Sequence, residues 1–153
     1  MTTLQTAATR ALDGLGVAYT LTQHPGVNSL AEAAAARGVT PADIVKTIVV
    51  RKAAQQYLFV LVPGDREISW PKLRALLGVS RLSLPDADTA LQATGYERGT
   101  ITPFGSTHPW PVIADASLAG RPVSLGGGAH GVAVWLACDD AVAALGALVA
   151  DVT

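Results

Sequence analysis

Lys46 stands alone as a charge in the apolar, β-branched run Ile44-Val45-Lys46-Thr47-Ile48-Val49-Val50. An ammonium group that loses solvent persists only with a partner, a ligand or residual water, so its position marks a possible site. Strand alternation puts Ile44, Lys46, Ile48 and Val50 on one face and Val45, Thr47, Val49 and Arg51 on the other. Two readings of the lysine stand at this stage: a pocket cation, or a solvated lysine that guards a sheet edge.

Two glycine-rich segments offer complementary chemistry. Thr94-Gly95-Tyr96-Glu97-Arg98-Gly99-Thr100-Ile101-Thr102-Pro103-Phe104-Gly105 concentrates three glycines and a proline in twelve positions. Such a loop can bring backbone amides together on an oxygen that gains negative charge, or it can be a plain strand connection. Gly126-Gly127-Gly128-Ala129-His130-Gly131 lacks the Lys-Ser/Thr pair of a phosphate loop and does not open a helix, which makes a flexible hairpin its default reading. His130 at its tip is suited to hydrogen bonding or proton transfer, and equally to solvent. No Gly-x-Ser-x-Gly nucleophile elbow is present, and Asp115, ending the apolar Val112-Ile113-Ala114, reads as a turn or cap residue.

The elements that must position these groups are short. Leu4, Ala7, Ala8, Ala11, Leu12 and Leu15 follow helical spacing up to Gly14 and Gly16, and Val17, Tyr19 and Leu21 alternate as a strand up to a turn at Gln23-His24-Pro25-Gly26. Ser29-Leu30-Ala31-Glu32 is a capping box for an alanine helix ending at Gly38. After the Lys46 strand, Tyr57-Leu58-Phe59-Val60-Leu61-Val62 predicts a second strand and Pro63-Gly64-Asp65 a turn. Ser69 caps a helix that ends at Gly78, Leu82-Ser83-Leu84 suggests a short strand, and residues 85–94 a helix closed by Gly95. Strands are expected over 111–114, 122–125 and 132–137, then a last helix from about Asp139 carrying Val142, Leu145, Leu148 and Val149. The expected architecture is a mixed α/β (α+β) fold: a single compact domain over 1–153, with a central mixed, partly antiparallel sheet flanked by short helices.

Composition sets limits on function. A chain of 153 residues with net charge −1 is not built to grip long nucleic acid through phosphates, which argues against DNA as a partner. No apolar run approaches the roughly 20 residues of a membrane span, and Met1-Thr2-Thr3 lacks the features of a secretory signal, so a cytoplasmic location and no membrane partner are expected. Cys138 is the only cysteine and His24, His108 and His130 are scattered, so neither a disulfide nor a metal site is expected.

Val45-Lys46-Thr47, Val62-Pro63-Gly64-Asp65, Thr94-Gly95-Tyr96 with Gly99 to Gly105, and Gly128-Ala129-His130-Gly131 together resemble the YbaK-like aminoacyl-tRNA deacylases, relatives of the editing domain of bacterial prolyl-tRNA synthetases. The resemblance implies a trans-editing hydrolase that cleaves the ester of a mischarged tRNA, typically tRNA for proline, with water or a substrate group as nucleophile. It implies no cofactor or metal. Its partners would be the aminoacyl-tRNA acceptor end and a prolyl-tRNA synthetase. It assigns catalysis to Lys46 and to the amides of Gly99, Thr100 and Ile101. Substrate contact falls to Tyr19, Thr47, Thr102, Pro103, Phe104, Gly105, Gly128 and His130. Members that clear cysteine resemble Gly-Lys-Arg-Gly-Leu-Asp in the last loop, where this chain has His130 and Ala133 in place of the arginine and the acid. Thr47 follows the cysteine-type members; asparagine tends to follow the lysine in alanine-type ones. A module that binds aminoacyl-tRNA ends or a synthetase without hydrolysis is the alternative, and a hydrolase of other small esters a third.

Overall fold

The computed structural model describes residues 4–25 and 29–153. The Met1-Thr2-Thr3 start and Gly26 of the expected turn lie outside the described residues. In chain order the elements are α1 (Ala7–Gly14), β1 (Thr20–Gln23), α2 (Leu30–Arg37), β2 (Val45–Ala53), β3 (Gln56–Pro63), α3 (Trp70–Leu77), α4 (Ala87–Thr94), β4 (Val112–Asp115), β5 (Pro122–Gly126), β6 (Val132–Ala137), α5 (Cys138–Leu145) and β7 (Leu148–Ala150), with single 3-10 turns at Pro41–Asp43 and Ala116–Leu118.

Local chemistry explains most boundaries. Ser29, Ser69 and Asp86 each accept from the backbone N–H three residues on, and Gly38, Gly78, Gly95 and Gly146 close α2, α3, α4 and α5 in the left-handed conformation. Gly146, at φ +61°, also corrects the expected last helix. Leu148 and Val149 keep helical spacing with Val142 and Leu145, yet they lie beyond this cap and form β7, parallel to β4. Residues 82–84 form only an isolated bridge, between Ser83 and Arg51.

The strands form two sheets, where a single central sheet was expected. One is antiparallel, in the order β1-β6-β5; the other is mixed, in the order β2-β3-β4-β7. They meet at a parallel bridge between Ile44 and Ser124. Between them lies the main core, with Leu12, Val49, Phe59, Leu61, Val123, Leu125, Val134 and Leu136. Each such side chain contributes about 1.5–3 kcal/mol on burial. A second cluster, Val50, Val60, Val62, Leu73, Ile113 and Val152, packs α3 on the opposite face of the mixed sheet. In β2 the two faces divide as the alternation predicts: Val45 and Val49 enter the main core, Ile48 and Val50 the second cluster.

Candidate functional site

The loop after α4 has a fastened half and an open half. Phe104 is buried in the main core, and its carbonyl accepts from Tyr96 Oη at 2.7 Å. Burial pushes the Tyr96 phenol up to about 12 against the opposing charge of Arg10, so the group stays a protonated donor. Gly105 has φ +76°, and a Cβ there would lie 2.5 Å from the Ala7 carbonyl oxygen, so only glycine lets the loop close on α1. Thr102 and Pro103 are buried beside them. At the other end Thr100 donates from both its amide and its hydroxyl to Glu97 O, at 3.0 and 2.8 Å. The amides of Gly99, Ile101 and Thr102 donate to no group among the described residues.

Ile101 faces a cleft of about 570 Å³ along the edge of β2, shared with Thr47, Ile48, Val49, Leu84, Ala90 and Arg98. Arg51 exchanges both backbone hydrogen bonds with Ser83, at 2.7 and 3.1 Å. Backbone groups alternate sides along a strand, so those of Val49 and Thr47 point away from β3, into this cleft. The structure therefore brings together Thr47, Ile101 and a stretch of strand edge that is unpaired among the described residues, and seats Arg98 at the side. Arg98 immediately precedes Gly99; a cation next to a shaped loop was the signal for it in the sequence.

Lys46 occupies the other face of β2, opposite Val62 in register. Its Nζ donates to Arg66 O at 2.5 Å and pairs with Glu67 Oε1 at 3.3 Å. The lysine side chain is 28% exposed and the glutamate 91%, so the ion pair is weakly held in solvent. Ile48 shares the lysine's face and lines the cleft, which places Lys46 one strand repeat, about 7 Å, from its lip.

On the opposite side of the Gly99 turn, Tyr96, Glu97, Thr100, Gly128, Ala129 and His130 line a cleft of about 420 Å³. His130 Nε2 lies 2.9 Å from Glu97 Oε1, and a Cβ on Gly99 would sit 3.2 Å from His130 Cε1, so the two glycine loops touch. Tyr19 is not brought to either loop. Its hydroxyl donates to Asp13 at 2.9 Å, its ring packs on the main core, and it precedes β1 at the end away from the 127–131 turn. Burial and the Asp13 carboxylate both raise its pKa. Thr102, Pro103, Phe104 and Gly105 line neither cleft; they fasten the loop. Cys138 is buried, its thiol pushed up by desolvation, and no group of three metal-ligating side chains lies together among the described residues.

Residues 24–144 match the family model described as an aminoacyl-tRNA editing domain. The chain is 31% identical over 91 residues to a proline–tRNA ligase of Bacillus licheniformis, covering 60% of this chain and 16% of that protein. It is 40% identical over 77 residues to the corresponding ligase of Desulfotalea psychrophila, covering 50% and 13%. The chain thus spans only about an eighth to a sixth of the length of these relatives. Among solved structures, one described as a candidate trans-editing enzyme for prolyl tRNA synthetase superposes with a TM-score of 0.88 at 27% identity, covering 99% of both chains. A hypothetical protein superposes with a TM-score of 0.87 at 29% identity, covering 95% of this chain and 98% of that one.

Proposed function

Since the chain belongs to the aminoacyl-tRNA editing domain family, we propose that it hydrolyses, in trans, the ester joining a small wrong amino acid to the 3′ end of a tRNA, with tRNA for proline as the carrier. The observation that carries this reading is the uncommitted amide of Ile101, with that of Gly99 free in the same turn, beside a cleft that also holds Thr47 and the open edge of β2.

Water adds to the ester carbonyl carbon, and the carbonyl oxygen takes up negative charge. Amides aimed at that oxygen need no reorganisation during the reaction, and each such donor contributes on the order of a hundredfold in rate. Lys46 moves from Glu67 to the cleft lip and adds a full positive charge. The carbon–oxygen bond to the ribose then breaks, the ribose oxygen takes a proton, and free amino acid and tRNA leave. Positioning and charge stabilisation account for the rate without a protein nucleophile, in keeping with the inert Cys138. Leu84, Ala90 and Ile101 give the cleft an apolar wall suited to a short side chain. Ala133, buried in register with Thr22, offers no acid, which supports a substrate other than cysteine.

The test is a panel of tRNA for proline charged with alanine, serine, threonine or cysteine. Faster ester loss than in buffer is expected on at least one small amino acid, with cysteine disfavoured. Equal rates with and without the protein on every member would end the reading.

A further inference from the structure

The outer face of the β1-β6-β5 sheet carries another cleft, of about 610 Å³, that deacylation as described leaves unused. Thr20, Trp135 and Ser124 are register partners on three adjacent strands, so their side chains emerge side by side. Arg37, the last residue of α2, lies over them and donates from Nη1 to Ser124 Oγ at 3.1 Å. Its Nε is buried without a partner, and no carboxylate lies within ion-pair distance of it among the described residues. Asp43, also in the lining, is already engaged by Arg121 at 3.2 Å and by the Thr40 amide and hydroxyl at 3.0 and 2.8 Å. The Trp135 indole N–H has no acceptor among the described residues either. Desolvation lowers the Arg37 pKa, yet a guanidinium stays charged throughout the physiological range.

A half-buried cation with unfilled donor capacity, hydroxyls at Thr20 and Thr22 and an indole together suit a ligand that is both anionic and aromatic. We infer that this cleft holds a phosphodiester of the substrate's single-stranded 3′ end, with Arg37 on the phosphate and a neighbouring base against Trp135; the inference rests on the deacylase reading. Ile44, bridged to Ser124, is three residues from Thr47, about 10 Å along the strand, within reach of a nucleotide or two upstream of the ester.

Arg37→Ala and Arg37→Gln are compared with the unaltered protein in three assays: turnover of charged tRNA, turnover of 3′-aminoacyl-adenosine, which has no phosphate, and anisotropy of a labelled short RNA ending in the tRNA 3′ sequence. Arg37→Gln removes the charge but keeps a longer, polar side chain than alanine, and decides the matter if the alanine variant folds poorly. Both variants should raise KM for charged tRNA about tenfold at unchanged kcat, weaken RNA binding about tenfold, and leave the adenosine ester untouched. The slope of log KM against log salt should fall by about 0.7, the share of one single-strand phosphate. Unchanged KM, RNA affinity and salt slope would overturn the inference while leaving deacylation intact. Arg37-dependent RNA binding without hydrolysis of any ester would keep the cleft and remove the deacylase. Binding of adenosine monophosphate that depends on Arg37 while RNA binding does not would assign the cleft to a free nucleotide, and so reject the inference as well.

Discussion

Asp115 at the end of β4 and Lys46 near the start of β2 are both charges set among apolar strands, and their surroundings differ sharply. Asp115 is 1% exposed and saturated with donors. Val152 N–H and Thr153 Oγ1 reach one oxygen at 2.9 and 3.2 Å, and the amide and hydroxyl of Ser117 reach the other. Lys46 has one carbonyl and one solvent-exposed glutamate, with donor capacity left over. A charge whose every lone pair is filled by its own chain is a fastening; a charge with capacity to spare, beside a cleft, is available to a ligand. Alanine at each of the two positions separates these roles.

Asp115→Ala should have the largest effect, and on stability alone. It leaves the buried Val152 amide without an acceptor and frees the C-terminal segment from the 3-10 turn at Ala116–Leu118, a loss of roughly 3 kcal/mol read by urea unfolding. Its pH dependence has a definite sign. Burial raises the Asp115 pKa, but the hydrogen bonds from Ser117, Val152 and Thr153 outweigh it, and the net shift is downward. A carboxylate with a depressed folded pKa contributes stability above its unfolded value, about 3.9, and that contribution disappears as pH falls through the lower folded value. The unaltered protein should therefore lose stability below about pH 4 more steeply than Asp115→Ala, and parallel acid profiles would remove Asp115 from the account. Deacylation per folded molecule should not change.

Lys46→Ala should do the reverse. Loss of charge stabilisation at the carbonyl oxygen is expected to slow single-turnover ester cleavage on the order of a hundredfold, about 2.7 kcal/mol, while the unfolding midpoint hardly moves. Cleavage at the unaltered rate would exclude Lys46 from the mechanism, and a large loss of stability would make it a fastening like Asp115.

The contrast was half legible in the sequence. Asp115 read as a turn or cap residue because it ends an apolar strand, and Lys46 stood out as the lone charge in an apolar, β-branched run whose two faces the structure sends to two clusters. Helix ends at Gly38, Gly78 and Gly95 were legible for the same reason, since they depend on neighbours in the chain. Features set by distant partners were not. The bridge between Ile44 and Ser124, which joins two sheets in place of one, links residues eighty positions apart. Leu148 and Val149 continue a helical apolar spacing, and the left-handed Gly146 together with the open edge of β4 decides for a strand. The resemblance assigned Phe104 and Gly105 to substrate contact, and a glycine and an aromatic beside a loop serve recognition and packing equally well. Only the closeness of Ala7 and Tyr96 distinguishes the two. Arg37 carried no signal in the sequence, since Ser124 and Trp135, which give it a cleft, lie about ninety positions further along the chain.

The smallest effect is the most discriminating one. Glu67→Gln removes the partner that draws Lys46 away from the cleft lip, yet an exposed pair of this kind contributes little, so the unfolding free energy should change by less than about 0.5 kcal/mol. If Lys46 must leave Glu67 to meet the ester, releasing it in advance raises the fraction of molecules ready to react, and the rate should rise by about twofold. Added salt screens the same pair, so the advantage of Glu67→Gln over the unaltered protein should shrink as ionic strength increases. A rate that falls in the variant means instead that Glu67 orients the lysine for catalysis, in which case the tethered position at Arg66 O and Glu67 is the working one and the cleft lip must come to it.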